Sequence, residues 1–425
     1  MEYWIVQAQE NPAAPRTDLL RREWRSNTLS ETLADRGHDV VRWRSAFSHQ
    51  SKTFLAQGNV AVAHDNYTHR FIDCPPYRRH IGAARIRNHR SLARHFTKVA
   101  QSGAPPSLIH VGNVPISLAC AAVRFGRHAG CPVIIDIRDL WPDIYADLLP
   151  KQLRALRGPM VKVLHAGSVQ LKWAMRNATG FTALTQSYLE WALAFAGRPQ
   201  TDADAVFAMS YPRIDAVPSK SDLNALRARL GIAEGDRLAV YLGNIGSQSD
   251  FDTLLQAARE LAGKYPDFKM VLAGSGPKEQ TLRQAAESLP NVIVPGWLQG
   301  SEIASLLHLA QIGLIAFHPV PNYLLNVPNK FSEYLAGGLA IACGLGGEMG
   351  RLVETAQCGF RYPPADATAL AGALASLLDD PAQLRVMGDR ARALHSKQFD
   401  GAQMYPLFAD HLERLAWQDS SRVSI

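Results

Sequence analysis

Short, almost wholly apolar runs recur along this chain, and most are followed by a stretch with helical spacing. The runs are residues 3–8, Asp39–Trp43, Ser107–Val111, Pro132–Ile137, Leu238–Leu242, Lys269–Ala273, Asn291–Gly296, Ile312–Phe317 and Leu339–Cys343. Runs so short and so continuously apolar suit strands buried on both faces, the situation of parallel sheets covered by crossover helices. Helical spacing at Arg25–Ala34, Arg85–Ala100, Ile116–Phe125 and Asp252–Ala262 supplies those crossovers. The alternation predicts an α/β fold of doubly wound, Rossmann-like sheets. A chain of 425 residues, 47% hydrophobic, exceeds one ordinary open sheet and divides into two domains of about 200 residues. The composition changes between Ala196 and Pro212, which places the junction there and predicts domains over 1–205 and 206–401.

Charge separates the two halves. Residues 1–200 hold 26 Lys and Arg against 14 Asp and Glu, and the remainder holds 19 against 24. No acidic residue lies between Asp73 and Asp136, or between Asp147 and Glu190. Gaps of that length point to an anionic partner for the N-terminal half. Arg87, Arg90 and Arg94 share the polar face of the helix over 85–100, and Lys151–Leu164 interleaves cations with large apolar residues. Each segment alone suits an anionic membrane surface and a solvated basic face equally, and two of them in one domain favour the membrane. A nucleic-acid partner would also answer the positive charge, but aromatic residues are too sparse in these segments to form a stacking platform, so no nucleic acid is expected. No run reaches the roughly 18 apolar residues of a membrane span, and the start reads as a strand, so a cytoplasmic protein is expected. Cys74, Cys120, Cys131, Cys343 and Cys358 show no C-x-x-C spacing and suit buried thiols rather than zinc or disulfides.

Two stretches stand apart. In residues 326–340, Pro328 forces an extended entry, Asn329 suits an N-cap, and Phe331–Ala336 form a helix that Gly337 and Gly338 stop. Free N–H groups at such a start attract anions, Lys330 adds a cation, and Glu333 can accept two hydroxyl hydrogen bonds, a pattern that fits a diphosphate with an attached ribose. A capped surface helix is the plainer alternative. The second stretch, Arg138-Asp-Leu-Trp-Pro-Asp143, closes the apolar run 132–137, at the strand end where open α/β sheets bind ligands. An Arg138–Asp139 ion pair fixing the loop is its plainer reading. Asp202-Ala-Asp204 lies in the junction and suits solvent exposure, and no metal site is expected.

The run 312–317, the loop and helix at 326–337, the next strand and Gly346-Gly-Glu348 together resemble the C-terminal half of GT-B glycosyltransferases, family four. Arg138–Asp143 resembles the bacterial O-antigen and capsule branch that transfers N-acetylfucosamine-type sugars. The resemblance implies two Rossmann-like domains facing a cleft, with the last helix, Met404–Trp417, crossing back so that 402–425 joins the first domain. It implies sugar transfer, with retention, from a nucleotide diphosphate sugar, UDP-linked by expectation, to a saccharide acceptor such as a polyprenyl-diphosphate-linked one. The work would be done at the inner membrane face in polysaccharide synthesis, with no cofactor and no metal. Lys330, Arg138 and Asp139 are the catalytic candidates, Arg138 standing where many members carry a His. Glu333, Asn329, Asn244, Gly246, Gly274, Gly296 and Trp297 would bind donor, and Arg25, Arg87, Arg90 and Arg94 would face acceptor and membrane. Several family charges are missing: Asn244 and Ser247–Ser249 replace a basic pair, Leu325 stands at the first of two paired glutamates, and the loop at Gln9–Pro15 lacks the usual glycines. Gly274-x-Gly276 is no dinucleotide fingerprint, because Glu279 occupies the third glycine position. A sugar-nucleotide epimerase of the same fold is the alternative enzyme.

Overall fold

The computed structural model describes residues 1–10, 24–78, 82–147, 149, 151–212 and 217–423. Residues 11–15 of the expected phosphate loop lie outside these. The described chain forms two compact units: residues up to Ala208 with those from Gln403 onward, and Met209–Ala402.

In the first unit the strands are β1 (Glu2–Val6), β2 (Asp39–Ser45), β3 (Val60–His64), β4 (Tyr67–Ile72), β5 (Leu108–Gly112), β6 (Val133–Ile137), β7 (Gly180–Ala183) and β8 (Ala205–Val206). They make one eight-stranded sheet in the order β3-β4-β2-β1-β5-β6-β7-β8, parallel except for the β3–β4 hairpin. Its helices are α1 (Arg25–Asp35), α2 (Ala83–Ala100), α3 (Ile116–Ala129), α4 (Ile144–Asp147), α5 (Arg157–Gly167), α6 (Val169–Asn177) and α7 (Gln186–Ala196). Side chains along β1 point alternately to the two sheet faces. Tyr3 and Ile5 join Leu29, Leu33 and Leu108 in one core, whereas Trp4 packs against Trp43, Phe96 and Phe125.

The second unit carries β9 (Arg237–Leu242), β10 (Phe268–Ala273), β11 (Val292–Gly296), β12 (Ile312–Ile315), β13 (Ala340–Cys343) and β14 (Gly359–Arg361). All are parallel, in the order β11-β10-β9-β12-β13-β14. They are interleaved with α8 (Lys220–Leu230), α9 (Phe251–Leu261), α10 (Glu279–Ala286), α11 (Gly300–Leu309), α12 (Pro321–Leu324), α13 (Asn329–Gly337), α14 (Gly347–Ala356), α15 (Ala367–Asp379) and α16 (Pro381–Gln398). The last helix, α17 (Gly401–Val423), is longer than expected and packs on the first unit. Phe408, Leu412 and Leu415 are buried beside Tyr3, Ile5 and Leu108, and each such side chain contributes about 1.5–3 kcal/mol. Two doubly wound α/β units, the expected fold class, are what the chain forms.

Each sheet has one point where strand order reverses, between β1 and β5 in the first and between β9 and β12 in the second. Ligands of open α/β sheets bind outside the strand C-termini at that reversal.

Candidate functional site

At the second reversal, β9 ends in Tyr241-Leu242 and turns through Gly243-Asn244-Ile245-Gly246, while β10 ends against Gly274-Ser-Gly276. The two turns are stitched by Gly243 N–H to the Ala273 carbonyl at 3.0 Å and Ile245 N–H to the Ser275 carbonyl at 2.9 Å. They approach so closely that a Cβ on Gly274, whose φ is +146°, would stand 1.7 Å from the Gly243 oxygen, so only glycine fits. Gly274 in turn donates its N–H to the Gly296 carbonyl at 2.8 Å. Trp297, the next residue, is 57% exposed beside this row of strand ends.

α13 brings Lys330 and Glu333 to the same edge. Pro328, not Asn329, is its N-cap, and no side chain caps it. Asn329 is the first helical residue, because the extended conformation required at the cap is the one Pro328 adopts, with ψ at 163°. Tyr334 locks the helix to the sheet: its hydroxyl accepts from the Leu242 N–H at 2.8 Å and its ring lies where a Cβ on Gly313 would be. Lys330 is buried, with Nζ 3.6 Å from the Tyr241 ring centroid and 4.7 Å from that of Phe317. A cation over two ring faces is attracted by their quadrupoles and held in place. Nζ also lies 3.1 Å from the Cβ position that Gly243 leaves empty. Tyr241 donates to the Asn244 carbonyl at 2.9 Å and accepts from Ser249 Oγ at 2.8 Å, and burial pushes its pKa up to about 12. Glu333 is fully buried one turn after Lys330. Lys330, Glu333, Asn329, Asn244, Gly246, Gly274, Gly296 and Trp297 thus all belong to the second unit, along the loops and the helix at its strand C-termini. Tyr241 and Phe317 were missed; they are separated in sequence from Lys330, and nothing local marks them as its walls.

The first unit's reversal holds a buried charge cluster. Arg25 is 2% exposed and donates to Asp136 (Nε to Oδ2, 3.3 Å) and to the Phe207 and Ala208 carbonyls at 2.8 and 3.1 Å. This corrects the sequence expectation that it faces acceptor or membrane: its cation is consumed in the core beside Asp136 and over the Phe408 ring. Arg138 is held by Asp136 at 2.6 Å, by Ser26 Oγ at 2.7 Å and by Glu10. Arg42 binds Glu10 at 3.0 Å and the Gln7 and Trp43 carbonyls. Thr182 donates to Asp136 at 2.7 Å and stands 3.0 Å from His110 Nε2. Burial raises the pKa values of Asp136 and Glu10, but the surrounding guanidiniums more than offset it and hold both below the usual carboxylate range. Burial lowers His110 to about 4 and keeps its ring neutral. Asp136 was the legible clue: a carboxylate inside an apolar strand must be paired.

Around this cluster the Arg138–Asp143 motif is tied into the fold by hydrogen bonds. The Asp139 carbonyl accepts from Asn113 at 2.7 Å and from the Trp141 N–H at 2.9 Å. Asp143 binds His165 of α5 at 2.6 Å and the Trp191 indole at 2.9 Å. Asp204 is buried and bound to Arg198 at 2.6 Å, not solvated, because it also receives the Phe181 N–H. Arg87, Arg90 and Arg94 are exposed on α2, and α5 buries no residue. Among the described residues no helix is long and apolar enough to cross a membrane.

Two family models match the chain: Glycosyl transferase 4-like domain over residues 23–206 and Glycosyl transferases group 1 over residues 222–394. A curated relative, 2-deoxystreptamine glucosyltransferase of Streptomyces kanamyceticus, is 25% identical over 253 residues, 57% of this chain and 62% of that protein. Against the glycogen synthase of Mycobacterium tuberculosis the match spans 41% of either chain at 28% identity. The chain therefore spans about two-fifths to three-fifths of the length of these curated relatives. Among solved structures, sucrose-phosphate synthase from Thermosynechococcus elongatus superposes with a TM-score of 0.73 at 17% identity, covering 97% of this chain and 98% of that one. Anabaena HepE in complex with UDP and glucose gives 0.68 at 18%, covering 97% and 100%.

Proposed function

We propose, from the premise that this chain belongs to the group 1 glycosyltransferases of GT-B fold, that it transfers a sugar from a UDP-linked donor to a saccharide acceptor with retention at the anomeric carbon. The observation that carries this reading is the placement of Lys330. A cation fixed by two aromatic faces at the strand reversal, on the first turn of α13, stands where a diphosphate would be received. Such transfer must stabilise a departing diphosphate, and preorganised donors in a site shielded from water do so without reorganising. In this reading Lys330 and the positive N-terminal end of the α13 dipole take the growing charge. Glu333 accepts from the ribose hydroxyls, and the Gly243–Gly246 and Gly274–Gly276 turns let the backbone approach the donor. No metal is required of these groups. HepE, a structural neighbour, holds UDP, which supports uridine as the base.

The sugar transferred in this reading is of the N-acetylfucosamine type, as in the O-antigen and capsule branch, and the acceptor is amphiphilic, a polyprenyl-diphosphate-linked saccharide met at the inner membrane face. Exposed Arg87, Arg90 and Arg94 support it, as does α5, around which Leu156, Val163 and Val169 stand 53%, 70% and 68% exposed. Arg138 and Asp139 keep a supporting role at the first unit's strand ends, Arg138 offering its outer edge to substrate while Asp136 and Glu10 hold it.

A thermal-shift screen of UDP, GDP and ADP sugars tests the donor assignment. A ligand at 100 times its Kd stabilises the folded chain by about 2.7 kcal/mol. A UDP sugar should raise Tm, undiminished by chelator; stabilisation by none of the three, or only in the presence of Mn²⁺ or Mg²⁺, counts against the reading.

A further inference from the structure

A groove of about 530 Å³ is lined by α2 and α3, with Gln170 of α6 at its edge, within the size range of small-molecule sites, about 300–1,000 Å³. Ala93, Ala121 and Phe125 form its apolar floor, and Arg90, Arg94 and Arg124 stand around it. The floor is rigid, because the Phe125 ring is stacked on Trp4 at 5.3 Å and meets Phe96 edge-on at 6.4 Å. Arg124 is held at the rim with its guanidinium 5.3 Å from the Trp173 ring of α6. The sequence has no acidic residue from 74 to 135, so neither helix supplies a carboxylate to answer these cations. A solvated basic face needs no apolar trough, and an apolar core gap needs no ring of arginines. The combination is complementary to an amphiphile with an anionic head.

We propose that this groove is a seat for a single anionic phospholipid of the membrane surface, its phosphate among Arg90, Arg94 and Arg124 and the start of an acyl chain on Ala93, Ala121 and Phe125. The site rests on the membrane reading above and goes beyond it: adhesion by a basic face is diffuse, whereas this groove selects one molecule and fixes which side of the first unit meets the bilayer. Each cation near an anionic surface strengthens binding about fivefold. Each methylene withdrawn from water adds about fourfold, so the floor matters as much as the rim.

The full chain is tested with two probes: vesicles of phosphatidylglycerol in phosphatidylcholine, and monomeric dihexanoyl phosphatidylglycerol followed by native mass spectrometry, with glycerol phosphate as the headgroup control. One short-chain lipid should bind per chain and glycerol phosphate at the same concentration should not. Ala93→Trp, which fills the trough from a half-buried position, should weaken lipid binding at least tenfold without changing net charge. Ala121→Trp repeats the test from the deeper side, with the unfolding transition of each variant measured first. Arg124→Gln should weaken it about fivefold. If Ala93→Trp binds lipid as tightly as the parent, or glycerol phosphate binds as well as the lipid, the groove is not a lipid site. Should the Ala93→Trp chain still sediment with anionic vesicles while the Arg90→Gln, Arg94→Gln chain does not, the groove proposal falls and the membrane reading stands. If neither change alters sedimentation, both fall.

Discussion

The two units share a topology and use charge at their strand ends in opposite ways. In the first, Arg25, Arg42 and Arg138 are paired with Glu10 and Asp136 behind a surface that exposes little of them. In the second, Lys330 lies against the faces of Tyr241 and Phe317, and the surrounding turns are built from glycine and small polar residues. A network of mutually paired ions resists rearrangement, and removing one member strands the others in low dielectric. A cation held over ring faces is fixed in place by their quadrupoles. The first arrangement is a foundation; in the proposed reading the second is a receptor.

The largest effect that follows is on stability. Asp136→Ala leaves Arg25 and Arg138 buried without their shared carboxylate and should cost about 3–5 kcal/mol of first-unit stability in urea unfolding. A loss under 1 kcal/mol would show that the cluster is not a foundation. Next comes catalysis: Lys330→Ala should lower turnover at saturating donor by about 10²-fold while leaving the urea transition near that of the parent. Unchanged turnover would mean that the diphosphate is neutralised from elsewhere. Glu333→Gln should raise the donor KM about tenfold with little change in kcat, because ribose contacts are made in ground and transition states alike. A purely catalytic loss would remove Glu333 from the donor site.

Acid should also separate the units. Burial lowers His69 to about 3 and both His89 and His110 to about 4. Between the ordinary histidine pKa near 6.5 and these values the unfolded chain binds protons that the folded first unit refuses, so stability falls as pH drops through that window. Glu10 and Asp136, held below the usual carboxylate range, contribute stability that is present at neutral pH and is lost as pH falls further, toward their folded values. The urea midpoint of the first-unit transition should decline from pH 6.5 to 4, and His69→Phe should flatten that decline. A decline of equal slope in His69→Phe would assign it to other groups. The smallest effect is at the surface, where neutralising Arg87, Arg90 and Arg94 should cost about 1 kcal/mol each in binding to anionic vesicles. Sedimentation unchanged by the triple substitution would return α2 to being a solvated face.

Much of this was legible in the sequence, and unevenly. The buried parallel strands declare themselves by continuous apolar runs, and α13 by Pro328 and the glycines after it. The β3–β4 hairpin went unseen because β3, at the sheet edge, is largely exposed and lacks a buried face to impose alternation. β7 and β8 are too short to carry a period. Asp136 and Arg138 lie two apart in sequence, on one side of the strand end, so their pairing could have been read locally. Glu10, Arg25 and Arg42 come to them only through the β2-β1-β5-β6 order, which no local pattern encodes. The aromatic walls of Lys330 are likewise a product of topology, since β9 and β12 become neighbours only once the sheet forms.

In the proposed function the nucleotide sugar is received by the second unit. Hydrogen exchange of the full chain with and without saturating UDP addresses it directly, because a ligand slows exchange where it suppresses local opening. Protection should concentrate in residues 243–249, 274–279 and 329–334, with residues 133–143 of the first unit changing far less. Protection confined to residues 133–143, with 243–249 and 329–334 exchanging as in the free chain, would contradict the account.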